Sequence, residues 1–116
     1  MSHPLVGMWK LVRMELDNPP ADTGAGPDPT GALVYTAGGW MSESLLLPAG
    51  DGGTRTVIYC GTYEIDGAQV IHQPLFHLDA SQVGKELPRG FEVAEDGQSF
   101  VLIAGVGRLH WERVDK

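Results

Sequence analysis

Arg55-Thr56-Val57-Ile58-Tyr59-Cys60-Gly61-Thr62-Tyr63-Glu64-Ile65-Asp66-Gly67-Ala68-Gln69-Val70-Ile71-His72 carries the clearest strand-turn-strand pattern in the chain. Val57, Tyr59, Gly61, Tyr63 and Ile65 recur at every second position, with Thr62, Glu64 and Asp66 on the alternate positions, which is the period of a half-buried strand. Asp66-Gly67 then supplies the backbone freedom of a tight hairpin turn, and Gln69 to Leu78 is predicted to return antiparallel.

The same punctuation runs outward in both directions. Sixteen glycines and eight prolines divide the chain into short runs, and almost no window of a dozen residues keeps a helical stripe. Predicted strands are Leu5 to Leu16, Ala32 to Ala37, Trp40 to Leu47, Arg55 to Asp66, Gln69 to Leu78, Glu86 to Ala94, Ser99 to Ala104 and Arg108 to Val114. Ala37-Gly38-Gly39 and Asp96-Gly97 mark further hairpins. A meander of about eight strands without a long crossover hides its edges by closing, so the expected fold is all-β, one antiparallel up-and-down barrel spanning 1–116. A two-sheet sandwich is the alternative. A short helix is the expectation around Asp79 to Val83, and Asn18 to Thr30 reads as a loop rich in Pro, Gly and Asp.

At 116 residues, 42% hydrophobic and 20% charged, the chain has the length and composition of one ordinary globular domain. The net charge of −7 argues against nucleic acid or an anionic membrane as partner, since both need a basic face. One cysteine, Cys60, makes neither an internal disulfide nor a thiolate metal site, and with no signal-like or membrane-spanning run a cytoplasmic location is expected.

Alternation assigns faces. Leu5, Gly7, Trp9 and Leu11 point inward with Leu33, Tyr35, Phe91, Val93, Leu109 and Trp111, while Lys10, Glu92, His110 and Glu112 point outward. Polar residues travel with the inward set: Glu43 between Met41 and Leu45, His72 two after Val70, and Arg89 two before Phe91. An unpaired buried charge is costly, so an inward Glu43 and Arg89 must pair, meet a ligand or lie near the barrel mouth.

Leu5-Val6-Gly7-Met8-Trp9-Lys10-Leu11 resembles the opening strand of lipocalins, in which Gly-x-Trp closes one end of the barrel. With Gly26-Pro27-Asp28-Pro29-Thr30-Gly31-Ala32-Leu33-Val34-Tyr35-Thr36, Gly39-Trp40-Met41-Ser42, Tyr59-Cys60-Gly61-Thr62-Tyr63-Glu64-Ile65-Asp66-Gly67, Val70-Ile71-His72, Val83-Gly84, Arg89-Gly90-Phe91 and Leu109-His110-Trp111-Glu112-Arg113, the chain is similar to the bacterial and fungal lipocalin-like domain family, small proteins mostly of unassigned function. The resemblance implies a barrel with a cavity and places Trp9 at its closed end. The sequence departs from that family in having only Pro48 to Thr54 after the third strand, where relatives carry a longer and often helical cap. It departs again at Leu78-Asp79-Ala80-Ser81-Gln82, where they tend to have an aromatic residue and a proline.

The expected ligand is a small, mostly apolar molecule lined by Tyr35, Met41, Tyr59, Tyr63, Phe91 and Trp111, with Glu43, His72 and Arg89 at its polar end. His72 and Arg89 are also the candidate catalytic pair of the alternative reading, a barrel cyclase or isomerase acting on a polyketide- or polyene-like substrate. Against each stands a bland reading: a core histidine, an arginine bonded to backbone carbonyls or to Glu43, and tyrosines that only pack. Met14 and Met41 read as gap fillers. No metal is expected, because His72 and His77 at odd spacing fall on opposite faces of one strand, and no cofactor motif is present. A shortened cap would expose a mouth that a symmetric dimer could cover.

Overall fold

A computed structural model describes residues 3–16, 29–48, 53–105 and 107–114. Residues 18–28 of the Pro- and Gly-rich stretch, and 49–52 of the short connection after the third strand, lie outside them. Eight strands follow in order: β1 (Gly7–Leu16), β2 (Thr30–Tyr35), β3 (Trp40–Pro48), β4 (Thr54–Asp66), β5 (Gln69–His77), β6 (Leu87–Val93), β7 (Ser99–Ala104) and β8 (Gly107–Arg113). Each pairs antiparallel with the next, and β8 returns to β1 with Leu11 opposite Trp111, so the sheet closes into a barrel. Closure excludes the sandwich. Strand ends shift from the expected ones by a residue or two, and the weak helix between β5 and β6 is a single 3-10 turn, Ala80–Gln82, capped by the Asp79 carboxylate.

Alternation holds along most of the barrel. Trp9, Leu33, Tyr35, Met41, Glu43, Tyr59, Val70, His72, Phe100, Leu102, Leu109 and Trp111 are buried, while Lys10, Glu64 and Glu92 are exposed. Two β-bulges break it. In β1 the register shifts between Leu11 and Arg13, so Val12 and Arg13 both face out and Met14 turns inward opposite Leu109. In β5 the pairs Cys60↔Phe76 and Gly61↔Pro74 leave Leu75 as an extra residue, and Leu75 and Phe76 both lie exposed.

Gly61 is what lets the second bulge form. A Cβ there would meet the Gln73 carbonyl oxygen at 2.1 Å and the Leu75 nitrogen at 2.8 Å, backbone atoms that cannot swing aside. The bulge also corrects an expectation. His77 does not oppose His72 across the strand; the inserted residue reverses the phase, and His77 lands opposite Tyr59 on the inward side.

One end of the barrel is sealed. Trp9 donates its indole N–H to the Leu5 carbonyl at 2.9 Å, meets Phe100 edge-to-face at 4.6 Å, and carries the Arg113 guanidinium over its ring at 4.2 Å. Arg113 in turn donates to the carbonyls of Pro4, Val6 and Gly97. Cation, indole and chain terminus thus lock one another, as expected of the closed end. Trp111 stacks on Phe100 within this plug.

Candidate functional site

The other end holds a cavity of about 870 Å³, within the range of small-molecule sites. Its apolar wall comes from Met14, Leu45, Leu47, Val57, Leu87, Leu102 and Leu109, and its polar groups include Glu43, Tyr59, His77 and Arg89, with Arg55 and Asp79 toward the mouth. The origin of this lining is the alternation itself. Glu43, Leu45 and Leu47 are successive inward positions of β3, as are Val57 and Tyr59 on β4 and Leu87 and Arg89 on β6.

Of the expected lining residues, the structure therefore brings Glu43, Tyr59 and Arg89 to the cavity wall. Tyr35, Met41, Tyr63, His72, Phe91 and Trp111 are placed below it, toward the sealed end. Tyr63 is tied there by donating its hydroxyl to the Thr36 carbonyl at 2.7 Å, with its ring edge-on to Tyr35. Trp111 belongs to the plug, where its indole N–H finds no partner among the described residues. Met14, read as a filler, lines the cavity because of the β1 bulge.

His72 lies fully buried beneath the cavity floor, between two tyrosines. Its Nε2 is 2.5 Å from the Tyr35 hydroxyl and its Nδ1 is 2.7 Å from the Tyr59 hydroxyl, while Tyr59 donates to Glu43 Oε1 at 3.3 Å. A neutral imidazole offers one donor and one acceptor. With the proton on Nδ1 every group is served: Tyr35 donates to Nε2, Nδ1–H donates to Tyr59, and Tyr59 donates to Glu43. The other tautomer would strand the Tyr35 proton and remove the donor from Glu43. The four residues therefore form one directional chain ending at a carboxylate on the cavity wall.

Burial governs the charges. It drives His72 from its ordinary value down to about 3, with the Arg89 charge adding to the effect, so the imidazole is neutral and its 3.9 Å approach to Glu43 is not an ion pair. Burial likewise lifts Glu43 to about 7, opposed by the Arg89 charge and the Tyr59 hydrogen bond. The Tyr35 and Tyr59 hydroxyls are pushed up, first by burial and then by the Glu43 charge, and both stay protonated. Glu43 is thus the member of the chain that changes charge near neutral pH.

His77, unassigned by the sequence reading, stacks on Tyr59 with ring centroids 4.9 Å apart and planes 7° from parallel. Its Nδ1 accepts the Asp79 backbone N–H at 2.9 Å, which anchors the turn at the mouth. The signal that could have found it was Gly61, a glycine amid a β-branched and aromatic strand, which often marks a bulge.

Closed eight-stranded topology, one plugged end and an internal cavity open at the other define a lipocalin-like β-barrel. A solved structure of a lipocalin-like protein from Bacteroides uniformis ATCC 8492 superposes with a TM-score of 0.61 and 18% sequence identity, covering 96% of this chain and 99% of that one. No family model and no curated protein matches the sequence. Among the described residues no group of three or more His, Cys, Asp or Glu side chains is arranged to hold a metal, and no helix is long and apolar enough to cross a membrane.

Proposed function

We propose that the protein binds a small, mostly apolar molecule inside its barrel. The observation that carries this reading is the cavity of about 870 Å³ between an aliphatic wall and the convergent polar groups Glu43, Tyr59 and Arg89. Large apolar area supplies affinity, and a few fixed polar groups supply orientation. A filled structural barrel would not leave such a space.

Native mass spectrometry of the purified protein, followed by organic extraction, tests the reading together with uptake of an apolar fluorescent probe. Stoichiometric ligand or probe supports it. Leu102→Trp, which places a bulky ring in the cavity, is expected to abolish uptake while leaving the β-sheet circular dichroism unchanged. An empty protein that excludes every apolar probe overturns it.

The cyclase or isomerase reading gains less support, because its expected acid-base residue, His72, has no exposed surface and both ring nitrogens are engaged. Proton transfer in this cavity would pass instead through Glu43.

A further inference from the structure

Arg89 is the feature that a wholly apolar ligand leaves unexplained. It is half-buried on the inward face of β6, and its guanidinium donates to the Pro88 carbonyl at 3.0 Å. Among the described residues it makes no ion pair with a carboxylate, although its charge is felt by Glu43, Tyr59, Tyr35 and His72. A guanidinium stays charged at any physiological pH and presents a planar fork of donors matched to a carboxylate. Lining the cavity across from its aliphatic wall, with most of those donors unspent, it favours an anionic group.

Resting on the reading of the barrel as a small-molecule binder, we propose that its ligand is an amphipathic monocarboxylic acid. The carboxylate sits on the Arg89 guanidinium, and the hydrocarbon body lies among Met14, Leu45, Leu102 and Leu109. The polar groups at the floor, Glu43, Tyr59 and Arg89, gather on β3, β4 and β6, opposite the Met14, Leu102 and Leu109 side chains of β1, β7 and β8.

The position of Glu43 on the same wall has a consequence for protons. Facing Glu43 are Tyr35 of β2, Tyr59 of β4, His72 and His77 of β5 and Arg89 of β6, with Arg55 and Asp79 toward the mouth; β1, β7 and β8 contribute the uncharged Met14, Leu102, Ala104, Gly107 and Leu109. A ligand carboxylate arriving on Arg89 neutralises the charge that favours ionised Glu43 and adds a like charge beside it. Glu43 then takes a proton from solvent, up to one per ligand, and its O–H can donate to the ligand oxygen. Glu43 already titrates at about 7 in the free protein, so this uptake is nearly free at neutral pH. Above pH 7 affinity falls as pH rises, approaching tenfold per pH unit, and below it the dependence flattens.

Calorimetric titration of the full chain with decanoate, decanol and methyl decanoate, at pH about 6 and about 8.5 and in buffers of different ionisation heat, tests both parts. Decanoate is expected to bind roughly ten- to a hundredfold more tightly than decanol. Arg89→Met removes that preference while decanol binding persists and reports an intact barrel. Proton uptake at the higher pH disappears in Glu43→Gln. Equal binding of decanoate and decanol, or a preference that survives Arg89→Met, overturns the carboxylic-acid assignment and leaves the cavity reading standing. A preference without proton uptake overturns the role of Glu43. Failure of all three compounds and of apolar fluorescent probes to enter overturns the cavity reading and this inference together.

Discussion

Glu43 titrates at about 7 in the folded protein because burial disfavours its charged form, so its contribution to stability has the opposite sign from that of a salt-bridged carboxylate. Its folded value lies above the unfolded one; the contribution is fully present below the unfolded value near 4.5 and is lost as pH rises through about 7. His72 runs the other way: its folded value of about 3 lies below the ordinary 6.5, so its contribution is present above 6.5 and is lost as pH falls toward 3. The two largely offset one another in the acid range. Replacing Glu43 by Gln removes only the first, and Glu43→Gln is expected to raise the melting temperature by several degrees at pH about 8, the gain shrinking as pH falls and vanishing near the unfolded value of 4.5, read by thermal circular dichroism. Tyr59→Phe breaks the chain in its middle, leaving His72 Nδ1–H without an acceptor and Glu43 without a donor. A loss of about 2 kcal/mol is expected in urea unfolding, with a further upward shift of the Glu43 titration seen by NMR.

At the level of elements, the β5 bulge connects one glycine to the layout of the site. Gly61 admits the backbone of Gln73 and Leu75, the extra residue reverses the phase of β5, and His77 reaches the stack on Tyr59 and the cap at Asp79. Gly61→Ala puts a methyl group where the Gln73 carbonyl oxygen already lies, so β4 and β5 must separate or the bulge must migrate. The expected cost is about 2–3 kcal/mol, and the His77 ring resonances, shifted by stacking on Tyr59, should move toward exposed values. Unchanged stability together with unchanged His77 shifts would show that the close approach at Gly61 is dispensable.

Across the whole molecule, the tightly packed plug and the cavity occupy opposite ends. The sealed end concentrates Leu5, Trp9, Leu33, Phe100 and Trp111 around the Arg113 tie, and the open end leaves space that the apolar wall alone would tend to collapse. Arg113→Met keeps the aliphatic stem but removes the hydrogen bonds to Pro4, Val6 and Gly97 and the cation over Trp9. It is expected to cost about 2–3 kcal/mol while probe binding at the far end keeps its affinity. Loss of probe affinity in a folded Arg113→Met protein would show instead that the two ends are coupled.

Local chemistry was enough to read the barrel: two-residue alternation in most runs, glycines at the hairpins and no helical stripe to compete with them. It also brought Glu43, Tyr59 and Arg89 to the inward face, because each keeps step with apolar neighbours on its own strand. Depth along the barrel axis was beyond it. Alternation tells in from out but not plug from cavity, so Tyr35, His72 and Trp111 read like lining residues until strand stagger placed them below the floor. The inward turns of Met14 and His77 were hidden for a related reason: a bulge is set by how two strands pair, and pairing is a property of the closed sheet. Local alternation settles that a barrel forms and, bulges aside, which residues enter it. Which of them meet is settled by strand pairing, since register, bulges and closure arise from contacts between strands far apart in the chain.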